Sequence, residues 1–259
     1  MSFSVTAKAG WRWFLEALSA VRKQPLALTG IVVFYLLVSG LLSGLPAIGT
    51  LLASIWMPFG CVLVGFATRD SLNGKHPGYR TLLDTVKKPA LRMTLMWIGL
   101  ISALYMEILV IVASFLAKDS MAKWVVTQDT IDVDSILNNF PTAAVVVGIV
   151  MYLPLLMMTL FAPLLAADAA QRFGKSFFYS FFGICRHPGA SFVALLSIGG
   201  LTALTGFALN SLFLLAGIPE ALSYVAPFAA IFLTTIAQAM IWPMYRDLFG
   251  EKHLFDTQN

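Results

Sequence analysis

The chain has 259 residues, of which 59% are hydrophobic and 12% charged, with a formal net charge of +4 and a mean hydropathy of +0.83. Soluble domains carry about 25% charged residues, so this composition excludes an ordinary water-soluble domain. The apolar residues gather in runs near the ~20 needed to cross a bilayer as a helix and lack the alternation of barrel strands. The predicted fold class is therefore an all-α integral membrane protein.

The chain opens on an amphipathic stretch. Phe14, Ala17, Leu18 and Val21 have the i, i+3, i+4, i+7 spacing of a single helical stripe, and Arg22-Lys23-Gln24-Pro25 follows. The same unit returns as Tyr79, Leu82, Leu83 and Val86 before Lys87-Lys88-Pro89, and as Phe178, Phe181, Phe182 and Cys185 before Arg186-His187-Pro188. Each copy precedes a run of hydrocarbon length. One unit used three times predicts three amphipathic interfacial helices, each leading into a membrane hairpin. The repeat units cover about 7–75, 76–175 and 176–252 within one membrane domain spanning 1–259.

Six spans are predicted, at about Leu26–Leu45, Ala47–Ala67, Leu91–Ala117, Thr142–Ala167, Ser191–Ala216 and Ala221–Trp242. Gly44-Leu45-Pro46 joins the first pair and Gly217-Ile218-Pro219-Glu220 the last, so both are expected to be tight antiparallel hairpins. The middle pair is separated by Lys118 to Pro141, where Val133 to Phe140 is expected to form a short helix with Asp132 or Asp134 at its N-terminus. Pro58, Pro163 and Pro243 recur near the returning exits. The first apolar run is too long for a signal-peptide core and no small-residue cleavage site follows it. The basic, aromatic segment before it is expected to be a helix that stays with the protein, and no lipidation motif is expected.

Charge sets the expected orientation. With six crossings, all of the 17 Lys and Arg except Lys118 and Lys123 fall on one side. The other side holds Asp119, Asp129, Asp132, Asp134 and Glu220. By the positive-inside rule both termini are expected in the cytosol.

Few polar groups interrupt the spans. Glu107 lies well inside the third, where an ionised carboxylate is expensive and marks a functional site, a hydrogen-bonded contact, or, in so long a span, a side chain snorkelling toward outer water. Tyr152, Asn210 and Gln238 are its candidate neighbours across helices, the two amides being equally explained as packing hydrogen bonds. At the predicted cytosolic boundary, Arg22, Lys23, Lys87, Lys88 and Arg186 are candidates for contact with anionic lipid or an acidic partner; topology and interfacial anchoring alone would also require them. Asp168 is expected to pair with Arg172 at i+4. The runs Gly60 to Gly65 and Gly199-Gly200 to Gly206 read as close helix contacts.

Catalytic and metal-binding parts are missing. His76, His187 and His253 lack a ligand spacing. Cys61 and Cys185 are expected at different depths, as unlinked packing residues. No HExxH, GxSxG, P-loop or GxGxxG occurs. No enzymatic activity, cofactor, metal or nucleic-acid partner is expected.

The stretch Gly10-Trp11-Arg12-Trp13-Phe14-Leu15-Glu16-Ala17, continuing through Arg22-Lys23-Gln24-Pro25-Leu26, resembles the start of an uncharacterised bacterial six-span inner-membrane protein family with a Gly-Trp-x-Trp N-terminal helix. The likeness extends through Arg69 to Tyr79. The six-span plan is more loosely similar to the membrane domain of some glycerophosphodiester phosphodiesterases, whose activity it does not imply. The resemblance implies a location in the cytoplasmic membrane of a Gram-negative bacterium and transfers no site residue. Together these readings predict a non-enzymatic accessory or scaffold protein engaging lipids or another membrane protein. The alternative is a small-solute or ion transporter or channel built on Glu107, Tyr152, Asn210 and Gln238.

Overall fold

The computed structural model describes residues 5–46, 48–77, 87–125 and 132–250, all-helical and without a strand among those residues. Helix α1 spans Ala7–Lys23, α2 Pro25–Ser43, α3 Gly49–Leu72 and α4 Pro89–Met121. The short α5 spans Val133–Asn138, then α6 Thr142–Thr159, α7 Ala162–Asp168, α8 Phe173–Arg186 and α9 Pro188–Leu215. A 3-10 turn at Pro219–Ala221 leads into α10, Leu222–Ala239, and α11, Ile241–Phe249. Six stretches are long and apolar enough to cross a membrane: Pro25–Ser43, Gly49–Leu72, Pro89–Met121, Thr142–Asp168, Pro188–Leu215 and Pro219–Phe249. This is a membrane protein. The predicted stripe Tyr79, Leu82, Leu83 and Val86 lies outside the described residues, as do Arg80, Lys252 and His253.

Prolines punctuate the helices in two ways. Pro25, Pro89 and Pro188 each occupy the first turn of a span, where the missing N–H removes no helical bond. The preceding residue is pushed out of the helical region, so Gln24 (φ −141°, ψ 64°) and His187 (φ −132°, ψ 53°) break the chain between the preceding helix and the span. Pro163 and Pro243 act differently. A proline removes the bond to the carbonyl four residues back and crowds it. The helices before them end at Thr159 and Ala239, each four residues short of its proline. The fourth and sixth spans are thus interrupted at corresponding places, while Pro58 leaves α3 continuous from Gly49 to Leu72.

The core is gathered at the end of the bundle that carries α1 and α11, called here the terminal end. Trp13, Ala17, Ala20 and Val21 of α1 are buried, on the stripe that also carries Phe14. That stripe packs on α9, α10 and α3. Phe161, Leu164 and Leu165 at the start of α7 are fully buried beside Phe66, Trp242 and Tyr245. At the opposite end the helices expose most of their apolar surface, as with Phe115 of α4 and Phe207 of α9. For a membrane protein such surface meets lipid, so it carries no hydrophobic penalty. Helix α2 packs along α3, α4 along α3 and α6, and α9 along α10. The α3–α4 seam is tight because Gly99 sits against the backbone of Ser54 and Ile55, where a Cβ would collide.

Candidate functional site

Toward the loosely packed end a cavity of about 520 Å³ opens among α2, α3, α4, α6 and α10. Glu107, Tyr152 and Gln238, from three different helices, all line it. Tyr105 donates its hydroxyl to the Met151 carbonyl at 2.9 Å, fixing α4 against α6 one or two residues from Glu107 and Tyr152. Ser102 and Thr159 also line the cavity, but each hydroxyl donates to its own helix at i−4, to Ile98 at 2.7 Å and Leu155 at 2.8 Å. The side chains of Glu107, Tyr152 and Gln238 make no hydrogen bond or ion pair among the described residues. The walls are apolar, with Met57, Ile98, Met106 and Leu155 prominent.

Both interrupted spans meet this cavity. Leu160 and Pro163 line it at one break, Gln238 and Ile241 at the other. The first break exposes backbone polar groups that hydrocarbon could not satisfy. Ser180 of α8, fully buried, answers both: it accepts from the Phe161 N–H at 3.1 Å and donates to the Met157 carbonyl at 2.7 Å. Below the breaks, Phe161, Leu164 and Trp242 fill the terminal end.

The terminal end also carries an ion cluster. Asp247 of α11 accepts from the Trp13 indole N–H at 2.7 Å, from Arg12 and from Arg246 at 2.8 Å. Arg246 reaches back to Glu16 of α1 at 3.0 Å. Arg69 pairs with Asp70 at 3.1 Å and lies over the rings of Phe66 and Trp242. Every acidic side chain described at this end is therefore occupied internally. Arg22, Lys23, Lys87, Lys88 and Arg186 are exposed there. Beside them a groove of about 410 Å³ is lined by Leu15, Leu18, Ser19, Arg22 and Lys23, mixing apolar and basic surface.

Several expectations need correction. Asn210 does not join the cavity: it is exposed on α9. Asp168 does not pair with Arg172, because the helix stops at Asp168 and Ala170 takes a positive φ of 50°; it accepts instead from the Tyr245 hydroxyl at 2.9 Å. Gly60 and Gly65 are tight contacts, against Tyr35 and Leu164, whereas Gly199, Gly200 and Gly206 face open space. The Phe178, Phe182 and Cys185 stripe of α8 points outward, and its buried face is Ser176 and Ser180. As expected, Asp132 caps the short helix α5, accepting from Asp134 N–H at 3.1 Å.

Sequence reasoning missed Asp247, Tyr245 and Ser180. Their partners are up to 235 residues away, and no local pattern marks them. Trp13 gave a clue, since Ala9, Trp13 and Ala17 recur at i+4 beside a small-residue face.

Comparison with known proteins agrees with the membrane assignment. The chain is 27% identical over 252 residues to a protein of Burkholderia thailandensis described as a probable inner membrane protein. The alignment covers 95% of this chain and 93% of that protein. No family model matches the chain, and no solved structure does.

Proposed function

We propose that this protein is a non-enzymatic accessory protein of the bacterial inner membrane, with six crossings paired as three hairpins and both termini in the cytosol. Its basic end engages anionic lipid headgroups, or the acidic surface of another membrane protein. The Burkholderia thailandensis relative supports the inner-membrane location. The observation that carries the reading is charge bookkeeping at the terminal end. Glu16, Asp70, Asp168 and Asp247 are all engaged internally, so the exposed Arg22, Lys23, Lys88 and Arg186 have no described acidic residue at that end left to offset them. Each basic residue near an anionic surface contributes about 1 kcal/mol. Helices α1 and α8 serve this reading as the platform. The buried stripe of α1 holds it to the bundle, and the outward Phe178 and Phe182 of α8 suit an interfacial anchor.

Gentle detergent purification followed by native mass spectrometry tests the proposal. Phosphatidylglycerol or cardiolipin is expected to co-purify above its share of the membrane, and to fall when Arg22, Lys23, Lys87, Lys88 and Arg186 are replaced together by Gln. A co-purifying acidic membrane protein would favour the protein-partner version. A clean monomer with ordinary lipid would contradict both.

Transport is the second reading, favoured by the convergence of Glu107, Tyr152 and Gln238 on one cavity between interrupted spans, a position where transporters place their sites. Against it, the packed side chains of Phe161, Leu164 and Trp242 close the terminal end, and conduits line their path with more polar groups.

A further inference from the structure

We infer that the cavity of about 520 Å³ is a binding site for a single-chain or compact amphiphile bearing a protonated amine, which enters sideways from the bilayer and pairs with Glu107. The inference does not rest on the basic end of the molecule, which faces another boundary and has the opposite charge.

Access is lateral. Met57, Glu107, Val110 and Tyr152 line the cavity and are exposed, while Tyr35, Ile98 and Leu155 on its inner side are buried. An exposed face at this depth meets lipid tails, so a ligand dissolved in the membrane reaches the mouth without crossing water. Toward the terminal end lie the buried Phe161, Leu164 and Trp242 of the packed core.

The charge of the ligand follows from Glu107. An ionised carboxylate at hydrocarbon depth is costly unless something compensates it. Ser102 and Thr159 turn their hydroxyls back to their own helices, and no Lys, Arg or His lines the cavity. Among the described residues nothing offers Glu107 a counter-charge. An ammonium head would supply one as a charge-assisted hydrogen bond, stronger than a neutral one. The Tyr152 hydroxyl and the Gln238 amide, both without a described partner, can take the remaining polar atoms of the head. The size falls within the ~300–1,000 Å³ of small-molecule sites, which suits one chain or a compact ring system. Met57 and Met106 give the wall an adaptable surface, so hydrophobic shape is read loosely and the amine strictly.

Equilibrium binding of dodecylammonium to the full chain in nanodiscs of zwitterionic lipid tests this, with dodecanol as the uncharged control and empty nanodiscs for partitioning. Zwitterionic lipid removes the anionic headgroups that the basic end would use, so failure here leaves the previous proposal standing. Saturable binding of the ammonium at one site is expected. Glu107→Gln should weaken it by about tenfold or more, and Gln238→Leu should weaken it less. Leu156→Trp, which fills the mouth from a lipid-facing position, keeps the test open if Glu107→Gln fails to fold; it should abolish the saturable component. Ammonium binding no different from empty nanodiscs, or equal in wild type and Glu107→Gln, would overturn the inference. Dodecanol binding as tight as the ammonium would overturn it too, by showing a site for neutral hydrocarbon.

Discussion

Trp13 donates its indole N–H to Asp247 across 2.7 Å, tying the first helix of the chain to the last. The bond lies at the centre of the cluster that also holds Arg12, Glu16 and Arg246, and it reaches down to a fully buried ring. The exposed ion pairs around it contribute little individually. The Trp13–Asp247 bond is different, because losing Asp247 strands a donor on a buried side chain.

Asp247→Ala should lower the stability of the detergent-solubilised protein by about 1–3 kcal/mol. Asp247→Asn keeps an acceptor for the indole and should cost less. Trp13→Ala should cost about 3–5 kcal/mol, since it also empties a packed site. Thermal unfolding of the three variants checks the order. Equal effects from both Asp247 substitutions would mean that charge, and not the hydrogen bond, matters.

Ser180 holds the interrupted fourth span together from a neighbouring helix. Ser180→Ala should destabilise by about 1–3 kcal/mol, because both the Phe161 N–H and the Met157 carbonyl lose their partner. Ser197→Ala is the control, since its hydroxyl only returns to Val193 of its own helix. It should be near neutral by the same unfolding measurement.

Two kinds of glycine should respond oppositely to the same change. A Cβ on Gly10 would overlap the Ala190 carbonyl, so Gly10→Ala must push α1 off α9 at a cost of about 1–3 kcal/mol. Gly200 meets nothing within 4 Å, so Gly200→Ala should be neutral or gain up to about 1 kcal/mol from helix propensity. A matched pair of unfolding curves separates them.

Much of the fold was legible because hydrocarbon imposes one rule on every span. Backbone groups must bond within the helix, so run length alone locates Pro25–Ser43 and its five successors. The basic-x-Pro boundaries were equally readable, since proline acts on its immediate neighbours. What composition could not reveal is which way a stripe faces. Phe14 and Phe178 sit at equivalent places in the repeat expected from the sequence, yet one is buried in protein and the other is 57% exposed. In a membrane both outcomes satisfy an apolar residue. The cavity was half legible: rarity picked out Glu107, Tyr152, Asn210 and Gln238, but only tertiary packing could gather three of them and leave Asn210 outside. Ser180 and Asp247 carried no sign, because a single serine or aspartate becomes informative only beside its distant partner.

The exposed basic groups give the account its orientation and its proposed partner, so their sidedness is the most direct test. Single cysteines at Lys23, Lys88 and Arg186, in a background lacking Cys61 and Cys185, can be labelled with a membrane-impermeant maleimide in spheroplasts and in inverted vesicles. All three should react only in inverted vesicles, with a cysteine at Asp134 reacting only in spheroplasts. Labelling of Lys88 and Arg186 from opposite sides of the membrane would contradict the even number of crossings and the shared basic face.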